Sequence, residues 1–273
     1  MIHIKSHIEI EKLRASADLV SRSLAEVAKV IGPGVSTSEL DRIAEEFILD
    51  HGAQPAFKGY GSEPNIFPAT LCTSINDVVV HGIPDDEPLQ EGDVVSVDCG
   101  VILDGYYGDS AYTFCVGDVS EEVAALCSTT YDSLILGVDA ATSGKRIGDI
   151  GWAVQSVCER KGYGVVRALV GHGIGRDLHE DPQVPNYGRA GTGRKLKSGL
   201  AICIEPMINA GKADVFTDKD GWTVRTSDGK PSAHYEMMVI VQPGSADVLT
   251  SFAPIEAVLE YIPYNLTADI DHG

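Results

Sequence analysis

Apolar side chains recur at helical intervals near the start of the chain. Ser6 and Glu9 have the spacing of a capping box, and the apolar positions after them repeat every three or four residues as far as Gly32-Pro33-Gly34. A second helix is predicted after Ser36, ending before Gly52. The sequence therefore predicts two consecutive amphipathic helices, followed by strand-like and loop segments over 55–114.

The later part of the chain repeats this order. Helices are predicted over about 120–137 and 146–161, and strand-like segments follow from 165 to about 252. The chain thus contains two helix-helix-strand halves, about 1–117 and 118–252.

Strands packed by helices on one side predict an α+β fold, formed by a single domain over 1–252. We expect the functional site where the two halves meet. The remaining tail, 253–273, has few large apolar groups at its end, so we expect it to be partly disordered.

The charge balance restricts the partners. With 21 Lys and Arg against 40 Asp and Glu, the net charge of −19 disfavours phosphate backbones and anionic lipid surfaces and favours cationic ligands. The first residues lack the features of a secretory signal, and no apolar run has membrane-spanning length. The six cysteines are scattered without paired spacing, which argues against a disulfide framework and indicates a reducing cytoplasm.

One predicted hairpin carries two carboxylates. If Asp104-Gly105 forms its turn, Gly100 faces Asp109 and Asp98 faces Ala111. Alternation of side chains along a strand then puts Asp98 and Asp109 on one face, diagonally across the hairpin. Such a pair at an apolar interface would take up a proton or a metal ion, whereas on an exposed face it would only be solvated.

Histidines and glutamates form further candidates. His172 lies between glycines, which would allow unusual backbone angles, and His179 follows seven residues later. His81 ends a strand-like run just before a glycine and a proline. Glu205 follows an apolar run and Glu236 precedes one, and neither segment contains a lysine or arginine. Each histidine could instead be structural, and each glutamate could face solvent on an edge strand.

Together these side chains supply a hard, oxygen-rich ligand set, which suits two divalent ions better than a cysteine-rich zinc site. The set comprises Asp98, Asp109, His172, Glu205 and Glu236. The chain resembles the type I methionine aminopeptidases over about residues 8–250. The resemblance is carried by HGIP at 81–84, the two-aspartate hairpin, GHGIGRDLHE at 171–180, IEPM at 204–207 and YE at 235–236.

The resemblance implies a pita-bread fold, with two related halves around a central sheet and two metal ions (Co, Mn, Fe or Zn) between them. Asp98 would bind one ion and His172 and Glu205 the other. Asp109 and Glu236 would bridge both. A hydroxide between the ions would attack the first peptide carbonyl.

The resemblance also implies roles for the substrate. Glu205 would handle the proton of the attacking water, His179 would stabilise the oxyanion, and His81 would contact the scissile amide. The substrate would be the N-terminal methionine of nascent polypeptides, with a small second residue, bound by a cytoplasmic monomer, including at the ribosome. Its apolar pocket would be lined by Tyr60, Phe67, Cys72, Leu178 and Trp222.

Three departures from the family pattern bear on specificity. The segment between Tyr60 and Cys72 is longer than usual, so the alignment of Phe67 is not fixed by the pattern. Leu178 stands where an aromatic is frequent, and Met237-Met238 follows Glu236 in place of a polar pair.

Two other interpretations stay open. A proline-directed aminopeptidase or dipeptidase would share the fold, although such enzymes usually carry an additional N-terminal domain. A non-catalytic binding protein of this fold would be expected to lack some metal ligands, and all five candidates are present.

Overall fold

The computed structural model describes residues 2–259 and contains five helices and seventeen strands in that range. The helices are α1 (His7–Ala28), α2 (Thr37–Asp50), α3 (Glu121–Ala140), α4 (Ile147–Arg160) and α5 (Ala253–Glu256). The strands before α3 are β1 (Gln54–Pro55), β2 (Gly61–Ser62), β3 (Asn65–Ile66), β4 (Leu71–Ile75), β5 (Val78–Val80), β6 (Val94–Leu103) and β7 (Tyr106–Cys115). The strands after α4 are β8 (Gly164–Val165), β9 (Gly171–Gly173), β10 (Glu180–Val184), β11 (Ala201–Ile204), β12 (Met207–Asn209), β13 (Val215–Thr217), β14 (Val224–Thr226), β15 (Ser232–His234), β16 (Met237–Ile240) and β17 (Asp247–Val248).

The predicted capping box is present at the start of α1. The Ser6 backbone N–H donates to the Glu9 carboxylate at 2.9 Å, and the Ser6 hydroxyl accepts from the Glu9 backbone N–H. The helix ends at Ala28, about one turn before the end that its apolar pattern predicts. Helices α2, α3 and α4 also lie where the sequence predicts them, so the repeated helix-helix-strand order is confirmed.

The long hairpin β6–β7 has the predicted register. Leu103 pairs with Tyr106, Gly100 with Asp109 and Asp98 with Ala111, around the turn at 104–105. On its other side β6 pairs with β4 and β1, and α1 packs across β6 and β7.

The later strands form two further sheets, in the orders β10-β9-β11-β16-β17 and β15-β12-β8. A third sheet, β13-β14-β5, joins strands from both parts of the chain, and β2-β3 is a separate small hairpin. Helices α3 and α4 pack against each other and cover this part of the structure, as expected of an α+β layer arrangement.

Strand β7 joins the two parts directly. The Glu236 backbone N–H donates to the Ala111 carbonyl at 2.9 Å, and the Thr113 hydroxyl donates to the His234 carbonyl at 2.7 Å. Apolar side chains that are completely buried, among them Leu24, Val97 and Ile202, surround this junction. Each contributes about 1.5–3 kcal/mol to stability when fully buried, so the junction belongs to the core.

Part of the predicted tail is packed. Helix α5 contacts α1, and Ile255 is completely buried. The expectation of disorder therefore does not apply to the first residues of the tail, and 260–273 lie outside the described residues. The limits of the single domain and of its halves stay predictions. None of the helices described is long and apolar enough to cross a membrane.

Candidate active site

One cavity of about 250 Å³ collects the functional candidates from both parts of the chain. Its lining contains every residue that the sequence analysis assigns to the site, namely Tyr60, Phe67, Cys72, His81, Asp98, Asp109, His172, Leu178, His179, Glu205, Trp222 and Glu236. It also contains Phe57, Val80, Leu169, Val170, Met207 and His234, which the sequence analysis does not assign. A concave site that combines apolar walls with a few convergent polar groups is typical of a substrate pocket.

The β6–β7 hairpin supplies two carboxylates to this cavity. Asp98 and Asp109 lie on the same face of the hairpin, because their register is Asp98 with Ala111 and Asp109 with Gly100. Gly100 makes space for the ring of Phe57, since a Cβ added there would lie 2.5 Å from Cε1 of Phe57. The glycine thus admits an aromatic wall beside the carboxylate pair.

The two glutamates leave the same end of a second strand pair. Ile204 at the end of β11 pairs with Met237 at the start of β16. Glu205 directly follows Ile204 and Glu236 directly precedes Met237, so the two glutamates lie next to each other at this end of the strand pair. The Asn186 side-chain amide donates to the Glu205 carbonyl at 2.9 Å. Both carboxylates therefore project from backbone that is held by strand pairing.

His172 turns one ring nitrogen toward these carboxylates. Its Nδ1 lies 2.9 Å from the Gly173 carbonyl, which can only accept, so Nδ1 carries the proton and Nε2 is left as an acceptor. Nε2 lies 3.7 Å from Oδ2 of Asp109 and 3.5 Å from Oε1 of Glu205. In metal-binding histidines, a hydrogen bond from one ring nitrogen to a backbone carbonyl usually orients the other nitrogen toward the metal.

The glycines around His172 act through space and not through unusual backbone angles. Gly171 and Gly173 lie in β9, and neither has a positive φ. A Cβ at Gly171 would lie 2.4 Å from the Cys203 carbonyl oxygen, and one at Gly173 would lie 2.3 Å from the Asp181 carbonyl oxygen. The expectation of unusual angles was wrong, because the sheet packs too closely here for a side chain.

All four carboxylates have raised pKa values. Burial raises the pKa of Asp98 to about 7. Burial and then the neighbouring carboxylates raise the pKa values of Asp109, Glu205 and Glu236. No lysine or arginine is found among the described residues that line the cavity. The cluster therefore lacks a protein cation to balance its charge.

Unsatisfied oxygens support a cation at this position. Oδ1 of Asp98, Oδ1 of Asp109 and Oε1 of Glu236 are buried without a hydrogen-bond partner within residues 2–259. Ligand atoms of Asp109, His172, Glu236 and Cys203 lie within 4.8 Å of one another. Buried oxygens that are left unpaired are costly unless a cation binds them, so the donor set fits divalent metal ions.

Three further histidines surround the cluster. Burial lowers the pKa of His81 to about 4 and that of His234 to about 3, so both rings are neutral near pH 7. His179 stacks edge-on to His172 with ring centroids 4.4 Å apart, and its Nδ1 lies 2.7 Å from the Tyr60 hydroxyl oxygen. Desolvation lowers the pKa of His179 as well. Neutral imidazoles can each donate one hydrogen bond to a substrate.

The apolar candidates form one wall of the cavity. Phe67, Cys72 and Leu178 are buried in a common cluster, and Trp222 packs edge-on against Phe67 at a centroid distance of 5.3 Å. The extra residues after Tyr60 form the β2–β3 hairpin, and the chain then returns so that Phe67 lies in the wall.

Comparison with known proteins identifies the family. The model of metallopeptidase family M24 matches residues 11–243. The chain belongs to metallopeptidase family M24.

Other family members are similar over nearly their full length. A methionine aminopeptidase from Clostridium acetobutylicum is 49% identical over 251 residues, which is 92% of this chain and 99% of that protein. The crystal structure of the methionine aminopeptidase from Rickettsia prowazekii superimposes with a TM-score of 0.89 at 43% identity, covering 92% of this chain and 100% of that one. The Xaa-Pro dipeptidase from Bacillus anthracis has a TM-score of 0.73 at 23% identity and shares the fold alone. The predicted pita-bread fold is thereby confirmed.

Two polar groups of this M24 site were not assigned from the sequence. Cys203 is completely buried, and its thiol donates to the Glu236 carboxylate, which places sulfur beside the oxygen ligands. Its position two residues before Glu205, in the apolar run that forms β11, was the available signal, since alternate residues of an extended segment share a face. His234 lies two residues before Glu236, and its Nε2 is buried at the cavity without a partner within the described range.

Proposed function

We propose that this chain removes the N-terminal methionine from peptides and newly made proteins in a metal-dependent hydrolysis. The observation that carries the proposal is that four carboxylates, two of them buried, and His172 line one cavity together with a wall of apolar side chains. Ligand atoms of Asp109, His172 and Glu236 lie within 4.8 Å of one another, and Oε1 of Glu205 lies 3.5 Å from Nε2 of His172. The similarity to methionine aminopeptidases over more than nine tenths of the chain supports the same reaction.

The ligand set fits two divalent ions, of the Co, Mn, Fe or Zn type. Asp98 would hold one ion, His172 and Glu205 the other, and Asp109 and Glu236 both. When bound, such ions supply Lewis acidity and make water nucleophilic at neutral pH. Among the described residues of the cavity, the carboxylates are also the groups available to bind the protonated amine of a peptide, which would restrict cleavage to the first residue.

The remaining polar residues would orient the peptide and move protons. Glu205 would accept a proton from the attacking water, because its carboxylate lies at the cluster. His179 would donate a hydrogen bond to the carbonyl oxygen as negative charge develops there. His81, neutral at pH 7, would donate to the scissile amide and assist protonation of the leaving amine.

Methionine selection would come from the apolar wall. Phe67, Cys72, Leu178 and Trp222 present aromatic, sulfur and aliphatic surface, which suits a flexible thioether side chain. Leu178 is smaller than an aromatic residue and would leave space at the floor of the pocket.

We place the reaction in the cytoplasm and expect a monomer that acts on nascent chains, including those at the ribosome. None of the six cysteines forms a disulfide, which agrees with a reducing compartment.

The test is hydrolysis of Met-Ala-Ser by the full chain before and after metal removal with a chelator. We expect chelation to abolish cleavage and added manganese, cobalt, iron or zinc to restore it to different extents. Leu-Ala-Ser should be cleaved much more slowly. Asp109→Asn should nearly eliminate turnover, whereas the matched surface variant Asp86→Asn, at an exposed position, should retain it.

Three results would reject the proposal. They are full activity in the chelated protein, equal cleavage of Leu-Ala-Ser, and a near-normal rate in Asp109→Asn. Preferential cleavage of Ala-Pro-Ser would instead support a proline-directed enzyme. Metal binding without hydrolysis of any of these peptides would support a non-catalytic binding protein.

A further inference from the structure

Tyr60 lies at the base of the β2–β3 hairpin, where its backbone is fixed. Its N–H donates to the Phe57 carbonyl at 2.9 Å, and its carbonyl accepts from the Phe67 N–H at 2.8 Å. Both of these neighbours line the cavity. The side chain of Tyr60 is therefore held at the cavity by two bonds on its own backbone.

The Tyr60 hydroxyl reaches His179 across the cavity mouth. Its oxygen lies 2.7 Å from Nδ1 of His179, and the two rings meet edge-on with centroids 5.5 Å apart. On the other side the His179 ring packs against the ring of His172. The histidine is thus enclosed between a tyrosine and a candidate metal ligand.

This contact decides which nitrogen of His179 carries the proton. A neutral imidazole has one N–H and one acceptor nitrogen. Desolvation raises the pKa of Tyr60, so its hydroxyl keeps its proton near pH 7 and can donate. An imidazole nitrogen is a better acceptor than a phenol oxygen. Donation from Tyr60 to Nδ1 leaves the proton of the ring on Nε2, which then remains available as a donor.

We propose that Tyr60 is a positioning residue whose hydroxyl holds His179 as the Nε2–H tautomer, so that Nε2 donates to the carbonyl oxygen of the bound peptide. The proposal rests on the proposed function for the identity of the acceptor. It separates two roles of one side chain, because the ring belongs to the pocket and the hydroxyl acts on His179. The backbone bonds of Tyr60 keep this donor in place before substrate binds.

The kinetic test uses Tyr60→Phe, which keeps the ring and removes the hydroxyl. We expect kcat for Met-Ala-Ser to fall roughly 2- to 10-fold, the range for losing one ordinary hydrogen bond, with KM little changed. Tyr163→Phe is the matched control. Tyr163 is half-buried and does not line the cavity, so the loss of its hydroxyl should leave both constants unchanged.

The decisive readout is the tautomer itself, from ¹⁵N NMR of histidine-labelled full-length chain, both metal-free and loaded with zinc. The His179 signals are assigned by their loss in His179→Asn. We expect a protonated Nε2 and an unprotonated Nδ1 in the wild type and in Tyr163→Phe. In Tyr60→Phe we expect a mixture of tautomers.

A proton on Nδ1 in the wild type would overturn the proposal, as would an unchanged His179 spectrum in Tyr60→Phe. A rise in KM without a fall in kcat would show that the hydroxyl serves only the pocket, and this result would also contradict the proposal. If the wild type fails to hydrolyse methionine peptides at all, the proposed function fails, while the NMR result still decides the Tyr60 contact.

Discussion

Replacement of His81 by asparagine should change how stability depends on pH. His81 has a φ of 59°, in the left-handed region that few residues tolerate, and asparagine is one of those few. His81→Asn should therefore keep the local backbone and remove only the titrating ring. Burial, and then the nearby His179, lower the pKa of His81 from 6.5 to about 4.

The sign and size of this change in stability with pH follow from proton binding. Because the unfolded chain binds the proton more readily, folding loses stability as pH falls from 6.5 toward 4. The difference between a pKa of 6.5 and one of about 4 corresponds to a loss of at most ~3.4 kcal/mol of folding stability, reached below the folded pKa. At pH 5 the loss is about 2 kcal/mol, and at pH 8 it is close to zero.

The assay is urea unfolding of the chelated protein at pH 8 and pH 5, followed by circular dichroism. Between these pH values the wild type should lose about 2 kcal/mol more than His81→Asn. His7→Asn provides the control, since the side chain of His7 is 87% exposed, and it should follow the wild type. Equal losses in the wild type and in His81→Asn would refute the reasoning.

Two further substitutions test contacts around the carboxylates. Gly100→Ala would place a Cβ 2.5 Å from Cε1 of Phe57. We therefore expect the free energy of unfolding in urea to fall by about 1–3 kcal/mol and the KM for Met-Ala-Ser to rise. Wild-type values for both would show that this contact is not tight. Cys203→Ala removes the thiol that donates to Glu236 and should weaken manganese binding about tenfold by calorimetry, whereas Cys203→Ser keeps a donor and should bind nearly as well. Equal affinity in the alanine variant would show that the thiol does not orient Glu236.

The hairpin illustrates how far local rules reach. A two-residue turn at 104–105 determines every pair in the β6–β7 ladder, and the shared face of Asp98 and Asp109 follows from alternation alone. The four long helices were likewise predictable from capping residues and apolar spacing, both of which are local. Their ends differ by a turn or less, because the last turn depends on packing.

Contacts between distant segments could not be predicted in the same way. Phe57 enters the cavity because Gly100, on the adjacent strand β6, leaves space for its ring. The glycines beside His172 are required by carbonyl groups of Cys203 and Asp181, which no local pattern reveals. That Cys203 touches Glu236 depends on the pairing of β11 with β16. In each case the sequence gives the residue type, but its neighbour is determined by tertiary packing.

The carboxylate cluster shows that the fold supports a costly arrangement. Asp98 and Asp109 are held by the β6–β7 ladder, and Glu205 and Glu236 flank paired positions of β11 and β16. These ladders and the apolar core around them fix the four backbones independently of any ion. The side chains therefore cannot move apart, and burial together with mutual repulsion raises the pKa values of Asp109, Glu205 and Glu236. A divalent ion that binds the folded chain removes this repulsion and stabilises the fold by mass action, so the stability gained on adding metal should fall together with metal affinity in every variant of the cluster.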